Sequence, residues 1–214
     1  MSKGYDANVF INCPFDDAYQ PLFRALVFAI HACGMIARSA LELDDGGEAR
    51  IEKIARLIGE CRHGIHDISR TDADTGSALP RMNMPFELGL FLGAKRFGIA
   101  EHGAKTCIIF DRERYRYQQF LSDIAGQDVL AHADDPRELI RGVRNALATT
   151  LPNRTILPSG RWLTQRYMIF LEDVPTICLE LRLDHDDLSH RDLAEVIITW
   201  LERNPVNAVG FSTN

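Results

Sequence analysis

Strand-like and helix-like segments alternate five times over the first 150 residues of this 214-residue chain. The strand candidates are short apolar runs at 8–13, 35–41, 63–68, 105–111 and 128–131. The helix candidates cover 18–33, 49–61, a stretch that begins at Asn83 or Met84, 117–124 and 135–151. Such alternation favours a parallel sheet that is covered by helices on both faces. We therefore expect a five-stranded parallel α/β domain.

The pattern changes near residue 150. Two prolines, Pro152 and Pro158, interrupt it, and the chain then has helical patterns at 161–172, after Pro175 and at 189–203. We predict an α/β domain over 1–150 and a helical C-terminal extension over 151–214. None of the apolar runs is long enough, without charges, to span a bilayer.

Charge and cysteine content narrow the classes of function. The net charge is -6, which argues against an electrostatic footprint for duplex nucleic acid. A local basic patch at Arg112, Arg114 and Arg116 fits a solvated face or a phosphate site. The five cysteines are widely spaced and form no CxxC pair, so we expect reduced thiols and a cytoplasmic protein without a membrane anchor. We expect no signal peptide, because the N-terminus lacks an apolar core region.

The run from Met82 to Ala94 carries one carboxylate, Glu87, among apolar and small residues. A lone buried carboxylate is costly, so it is usually paired or used in chemistry. Pro85 is tolerated in the first turn of a helix, which places the helix start near residue 83. Asn83, four residues before Glu87, then shares its helix face.

Ligands of open parallel sheets bind beyond the carboxyl ends of the strands. That rule adds Phe15 and Asp16, which follow the first strand, and Asp67 and Ser69, which end and follow the third. We take these four, with Asn83, as candidate ligand-binding residues.

Structural explanations compete with these roles. The helix dipole favours a glutamate near a helix start, so Glu87 fits helix stabilisation as well as catalysis. Asn83 fits an N-cap, and Asp67 fits a residue that closes a turn. Gly89 and Gly93 are expected to let the helix approach the sheet closely.

A metal site is not expected. Cys61, His63, His66 and Asp67 resemble a ligand cluster, but strand alternation places His66 on the face opposite the other three. No second group completes a tetrahedral set.

Three segments resemble a known family. They are V-F-I-N-C-P-F at 9–15, D-I-S at 67–69, and N-M-P-F-E-L-G at 83–89. Together they resemble TIR-like nucleotide-binding proteins and, more distantly, nucleoside 2-deoxyribosyltransferases. The resemblance covers roughly residues 8–150 and implies a flavodoxin-like fold. It also implies that Glu87 cleaves an N-glycosidic bond, while Asp67 and Asn83 hold the ribose or nucleotide. Bacterial TIR-like proteins often serve in anti-phage defence.

The resemblance leads to one main hypothesis and two alternatives. The main one is an N-glycosidase or transferase that acts on NAD or a related nucleotide, with the 69–81 loop as a lid. NAD or the nucleotide is then substrate or ligand, and no cofactor is expected. The alternatives are a module that senses a nucleotide or assembles without turnover, and a nucleoside 2-deoxyribosyltransferase. We expect a homo-oligomer or a partner protein bound through the C-terminal helices.

Overall fold

The computed structural model describes residues 4–42, 46–71, 80–151 and 156–205. The strands are β1 (Asn8–Asn12), β2 (Ile36–Ser39), β3 (His63–Asp67), β4 (Thr106–Asp111) and β5 (Val129–Ala131). All pairs are parallel, and the strand order is β2-β1-β3-β4-β5. This is the flavodoxin-like order, so the predicted fold class is confirmed. The sheet grows in both directions from β1, which places the topological switch point between β1 and β3.

Six α-helices are present in the described ranges. They are α1 (Gln20–Ala32), α2 (Arg50–Glu60), α3 (Asn83–Phe97), α4 (Pro136–Ala148), α5 (Gly160–Leu181) and α6 (His190–Arg203). α1 and α4 lie side by side on one face, while α2 and α3 lie on the other. α5 and α6 pack on the outer side of α1 and α4.

The main hydrophobic core joins the sheet to the C-terminal helices. α1 buries nine of its 13 residues because it lies between the sheet and the outer helices. The ring of Phe28, on α1, lies 5.2 Å from that of Phe170 and 5.8 Å from that of Trp200. The Trp200 indole N–H donates to Asp173 at 2.7 Å. Residues from the α/β region and the extension therefore share one core.

On the other face of the sheet, α3 packs against β3. The ring of Phe91, on α3, lies so close to Gly64 that an added Cβ would be 2.7 Å from it. Lys105 is buried beside this face, and its Nζ donates to the carbonyl oxygens of Ile58 (2.6 Å) and Cys61, at the end of α2. Burial lowers the pKa of Lys105 to about 8. The lysine supplies hydrogen bonds that the end of α2 lacks within the helix.

Three local expectations differ from the structure. α5 is one continuous helix through Pro175, because tertiary packing compensates for the missing backbone N–H. The predicted helix at 117–124 is a pair of 3-10 turns, Arg116–Gln119 and Ser122–Ile124. A Cβ added at Gly89 or Gly93 would meet nothing within 4 Å. Neither glycine therefore serves a close approach to the sheet.

Among the described helices, none has both the length and the apolar content that a membrane crossing requires. All five cysteines are free thiols, and Cys107 is the one of them that is not fully buried.

Candidate functional site

A cleft of about 310 Å³ lies at the carboxyl edge of the sheet, at the switch point. The end of β1 and the first turns of α2 and α3 surround it. Its lining residues are Asn12, Cys13, Pro14, Phe15, Arg50, Arg81, Asn83, Met84 and Glu87.

Larger hollows lie elsewhere among the described residues. One of about 580 Å³ separates the end of α1 from α6, and one of about 710 Å³ lies beside β5 and α4. The first is mostly apolar in its lining. The second is lined by Asp128 and by Glu138, which pairs with Arg141, and it lies away from the switch point, beside the edge strand β5. Position and chemistry, rather than volume, single out the cleft that contains Glu87.

Glu87 is the carboxylate of the cleft, and it is only 6% exposed. It is the fifth residue of α3 and thus lies just beyond the first turn. The helix dipole acts most strongly within the first turn. Arg50 Nη2 lies 3.5 Å from Glu87 Oε1. Burial raises the pKa of Glu87 above its ordinary value, and the nearby guanidinium opposes that shift without cancelling it. A buried carboxyl with a raised pKa, open to a cleft, is a common feature of functional sites.

Asn12 ties the end of β1 to the start of α3. Its Nδ2 donates to the carbonyl oxygen of Met84 at 2.8 Å and lies 3.0 Å from His66 Nδ1. Burial lowers the pKa of His66 to about 3, so the ring is neutral and its Nδ1 accepts this hydrogen bond. These two bonds fix the first turn of α3, and with it the position of Glu87, against the sheet.

Three of the predicted site residues meet in the cleft: Phe15, Asn83 and Glu87. Asn83 is the first residue of α3 and is exposed, while Met82 occupies the N-cap position without a side-chain hydrogen bond. Phe15 is half-buried, with its ring edge-on to Phe23 at 5.6 Å. An aromatic ring, an amide and a carboxylate suit a ligand with a flat base and a hydroxylated sugar.

Asp16 lies beside the cleft. Its Oδ1 accepts from the backbone N–H of Tyr19, and its Oδ2 pairs with Arg81, each at 3.0 Å. Asp16 therefore caps the turn that leads into α1 and holds a cationic lining residue of the cleft.

Asp67 and Ser69 lie in the protein interior. Asp67 Oδ2 accepts from the Tyr19 hydroxyl and lies 3.1 Å from His132 Nε2, while Oδ1 accepts from the Ser69 backbone N–H at 2.8 Å. The backbone N–H of Asp134 donates to His132 Nδ1, which leaves Nε2 as the protonated nitrogen. Burial alone would raise the pKa of Asp67, but His132, Ser69 and Tyr19 hold it below its ordinary value. Both oxygens of Asp67 thus contact protein groups that join β3, α1 and the end of β5.

The basic patch after β4 divides into different environments. Arg116 is buried, pairs with Asp111 at 2.7 Å and donates to the carbonyl oxygens of Ile68 and Ser69. It therefore joins the ends of β3 and β4, whereas Arg114 is exposed.

Cys13 lines the cleft and is buried. Burial, followed by the charges of Asp67 and Glu87, raises the pKa of its thiol well above the ordinary value. A raised pKa favours the protonated thiol, which is the less nucleophilic form.

Sequence reasoning missed Arg50 as a site residue. Its position offered a signal, because the helix that follows a parallel strand begins at the carboxyl edge, and Arg50 is the first residue of α2. Of the predicted 69–81 lid, residues 72–79 lie outside the described residues.

Comparison with known proteins gives no match to a family model, to a curated protein or to a solved structure.

Proposed function

We propose that this protein is a TIR-like N-glycosidase or transferase that acts on NAD or a related nucleotide through Glu87. The supporting observation is a buried carboxylate with a raised pKa that opens to a cleft at the switch point of a flavodoxin-like sheet. Small-molecule ligands of such sheets bind at this position.

The composition of the cleft suits a nicotinamide leaving group. In NAD the glycosidic nitrogen belongs to a cationic pyridinium, so nicotinamide leaves with the bonding electron pair as a neutral ring and needs no proton donor. A single carboxylate can then stabilise the cationic sugar carbon, and water adds there with loss of a proton to give ADP-ribose. Glu87 is the sole carboxylate among the described lining residues.

The size of the cleft limits what it encloses. A volume of about 310 Å³ is at the lower end of the range for small-molecule sites, roughly 300–1,000 Å³. The cleft fits the nicotinamide riboside half of NAD, and the rest of the dinucleotide would extend beyond it.

The test is an assay in which chromatography measures the release of nicotinamide from NAD. We expect Glu87→Gln to lower kcat by roughly 10²- to 10³-fold, because it keeps the shape and removes the charge. The matched control is Glu52→Gln, which removes an exposed carboxylate from α2 and should leave the rate unchanged. The rate should rise with pH through a pKa above 4.5, since the pKa of Glu87 is raised and its ionised form acts. Equal rates for Glu87→Gln and the parent protein would reject the role of Glu87.

A sensing module is the second candidate, and the Arg50 contact favours it. A guanidinium beside Glu87 reduces the ability of the carboxylate to stabilise a cationic sugar. In that case NAD would bind and be recovered chemically intact after hours of incubation, with either Glu87 or Gln at position 87.

A further inference from the structure

The charges of the cleft differ from those of the whole protein. The chain has a net charge of -6, yet the lining of the cleft includes two arginines, Arg50 and Arg81, and one carboxylate, Glu87. Asp16 offsets the charge of Arg81, so Arg50 is the lining arginine through which the cleft would bind an anionic group of a ligand.

The two arginines are held differently. Arg81 pairs at 3.0 Å with Asp16, which is not itself a lining residue. Arg50 reaches Glu87 through one nitrogen and one oxygen at 3.5 Å, with 57% of its side chain exposed. By contrast, Arg56 on the same helix pairs with Glu48 at 2.7 Å. Charge-assisted pairs are usually near 2.7–2.9 Å, so the Arg50 contact is loose.

We propose that Arg50 masks Glu87 until a phosphate on the ligand draws the guanidinium away, so that the site selects phosphorylated nucleosides over unphosphorylated ones. This inference rests on the proposed function and names the regulation and substrate class of the same site.

The exchange has a simple physical basis. The phosphate monoester of a mononucleotide and the diphosphate of NAD each present more charge and more acceptor oxygens than a carboxylate, and a guanidinium binds phosphate oxygens with two parallel hydrogen bonds. The exposed side chain of Arg50 can change rotamer without disturbing the core. Loss of the guanidinium restores the full charge of Glu87 toward the sugar, which links phosphate recognition to catalysis.

The first experiment compares nicotinamide riboside with nicotinamide mononucleotide, which differ by one phosphate. In the parent protein we expect kcat/KM to be about ten- to a hundredfold higher for the mononucleotide, the effect of one charge-assisted contact. Arg50→Gln should raise kcat/KM for the riboside by several-fold and lower it for the mononucleotide by about tenfold or more. Opposite changes on the two substrates distinguish unmasking from a simple loss of binding.

Arg56→Gln is the matched control, since it removes an arginine from α2 that does not line the cleft. It should leave kcat/KM unchanged for both substrates. The inference is overturned if Arg50→Gln lowers kcat/KM equally for both substrates, which would assign Arg50 a positioning role only. It is also overturned if Arg50→Gln, like Arg56→Gln, leaves kcat/KM unchanged for both substrates.

A binding experiment separates this inference from the proposed function. In calorimetry, nicotinamide mononucleotide should bind Glu87→Gln more tightly than the parent, since Arg50 is then released for the phosphate. The mononucleotide should bind Arg50→Gln about tenfold more weakly than it binds the parent. The affinity for nicotinamide riboside should be the same for Arg50→Gln and the parent. This result without turnover would reject the glycosidase and retain the exchange. Equal affinity in all three proteins, or no binding to any of them, would reject the exchange itself.

Discussion

Glu87 and Asp67 are buried carboxylates near the same edge of the sheet, with opposite electrostatic environments. Glu87 has one loose guanidinium contact, and burial raises its pKa above the ordinary 4.5. Asp67 is more deeply buried, but the side chains of His132 and Tyr19 and the backbone of Ser69 outweigh burial and lower its pKa below the ordinary 3.8. One carboxylate therefore costs stability in its ionised form, while the other contributes stability in that form.

Substitution should expose this difference in sign as a function of pH. Because the folded pKa of Glu87 is raised, its ionisation destabilises the fold as pH rises through the interval that begins at 4.5. Glu87→Gln should therefore be more stable than the parent at neutral pH, and the gain should vanish below pH 4.5. Asp67→Asn should lose on the order of 3 kcal/mol at neutral pH. That deficit should shrink as pH falls from 3.8 through the lower pKa of the folded protein, because the unfolded parent takes up a proton first and the folded parent loses the stabilising charge only later.

Denaturant unfolding of the three proteins at several pH values measures these differences. Other titrating groups are common to all three proteins, so their contributions largely cancel in the comparison. A neutral-pH loss of stability in Glu87→Gln would show that the Arg50 contact outweighs burial. Equal stability of Asp67→Asn and the parent would show that the buried contacts of Asp67 are energetically neutral.

The elements β3 and α3 show what local sequence determines. The start of α3 is predictable because Pro85 has a fixed φ and lacks an N–H, and both are local properties. The direction of the Asp67 side chain is not, because it depends on Tyr19 and His132, which are distant in sequence. The edge rule places a residue at the end of a strand but does not say whether its side chain faces the cleft or the core. For Arg50 the same rule gives the edge, since α2 begins there, but not the contact of its side chain with Glu87.

Two glycines near these elements should respond in opposite ways to alanine. Gly64→Ala places a Cβ 2.7 Å from the Phe91 ring and from His66 Nε2, and overpacking of this kind costs about 1–3 kcal/mol. Gly89→Ala adds a methyl group that meets nothing within 4 Å in a helix, where alanine is favoured over glycine by about 1 kcal/mol. The midpoint temperature of thermal unfolding should therefore fall for Gly64→Ala and rise for Gly89→Ala. A higher midpoint for both variants would mean that α3 moves away from β3 without cost.

At the scale of the whole molecule, the described helices lie in unequal layers. α2 and α3 form a single layer on one face, whereas α1 and α4 on the other face are covered in turn by α5 and α6. The sequence marks the change at residue 150, yet it does not show that the two parts share a core. The structure shows the shared core in α1, which buries residues on nearly every side. The site lies on elements from the N-terminal part, and the C-terminal helices support it through α1.

A chain that ends at Leu151 tests this dependence. It would lose α5 and α6 and expose Phe28 and the outer sides of α1 and α4, which the full protein covers with Phe170 and Trp200. An apolar surface of that extent favours aggregation or a loosely packed state. We expect the shortened chain to bind a hydrophobic dye and to show no cooperative thermal transition. In the full chain, Trp200→Ala should cost about 3–5 kcal/mol, whereas Leu179→Ala, at an exposed position of α5, should change stability by less than about 0.5 kcal/mol. A cooperative transition in the shortened chain would instead show that residues 1–151 fold independently and that the C-terminal helices are an attachment to a complete domain.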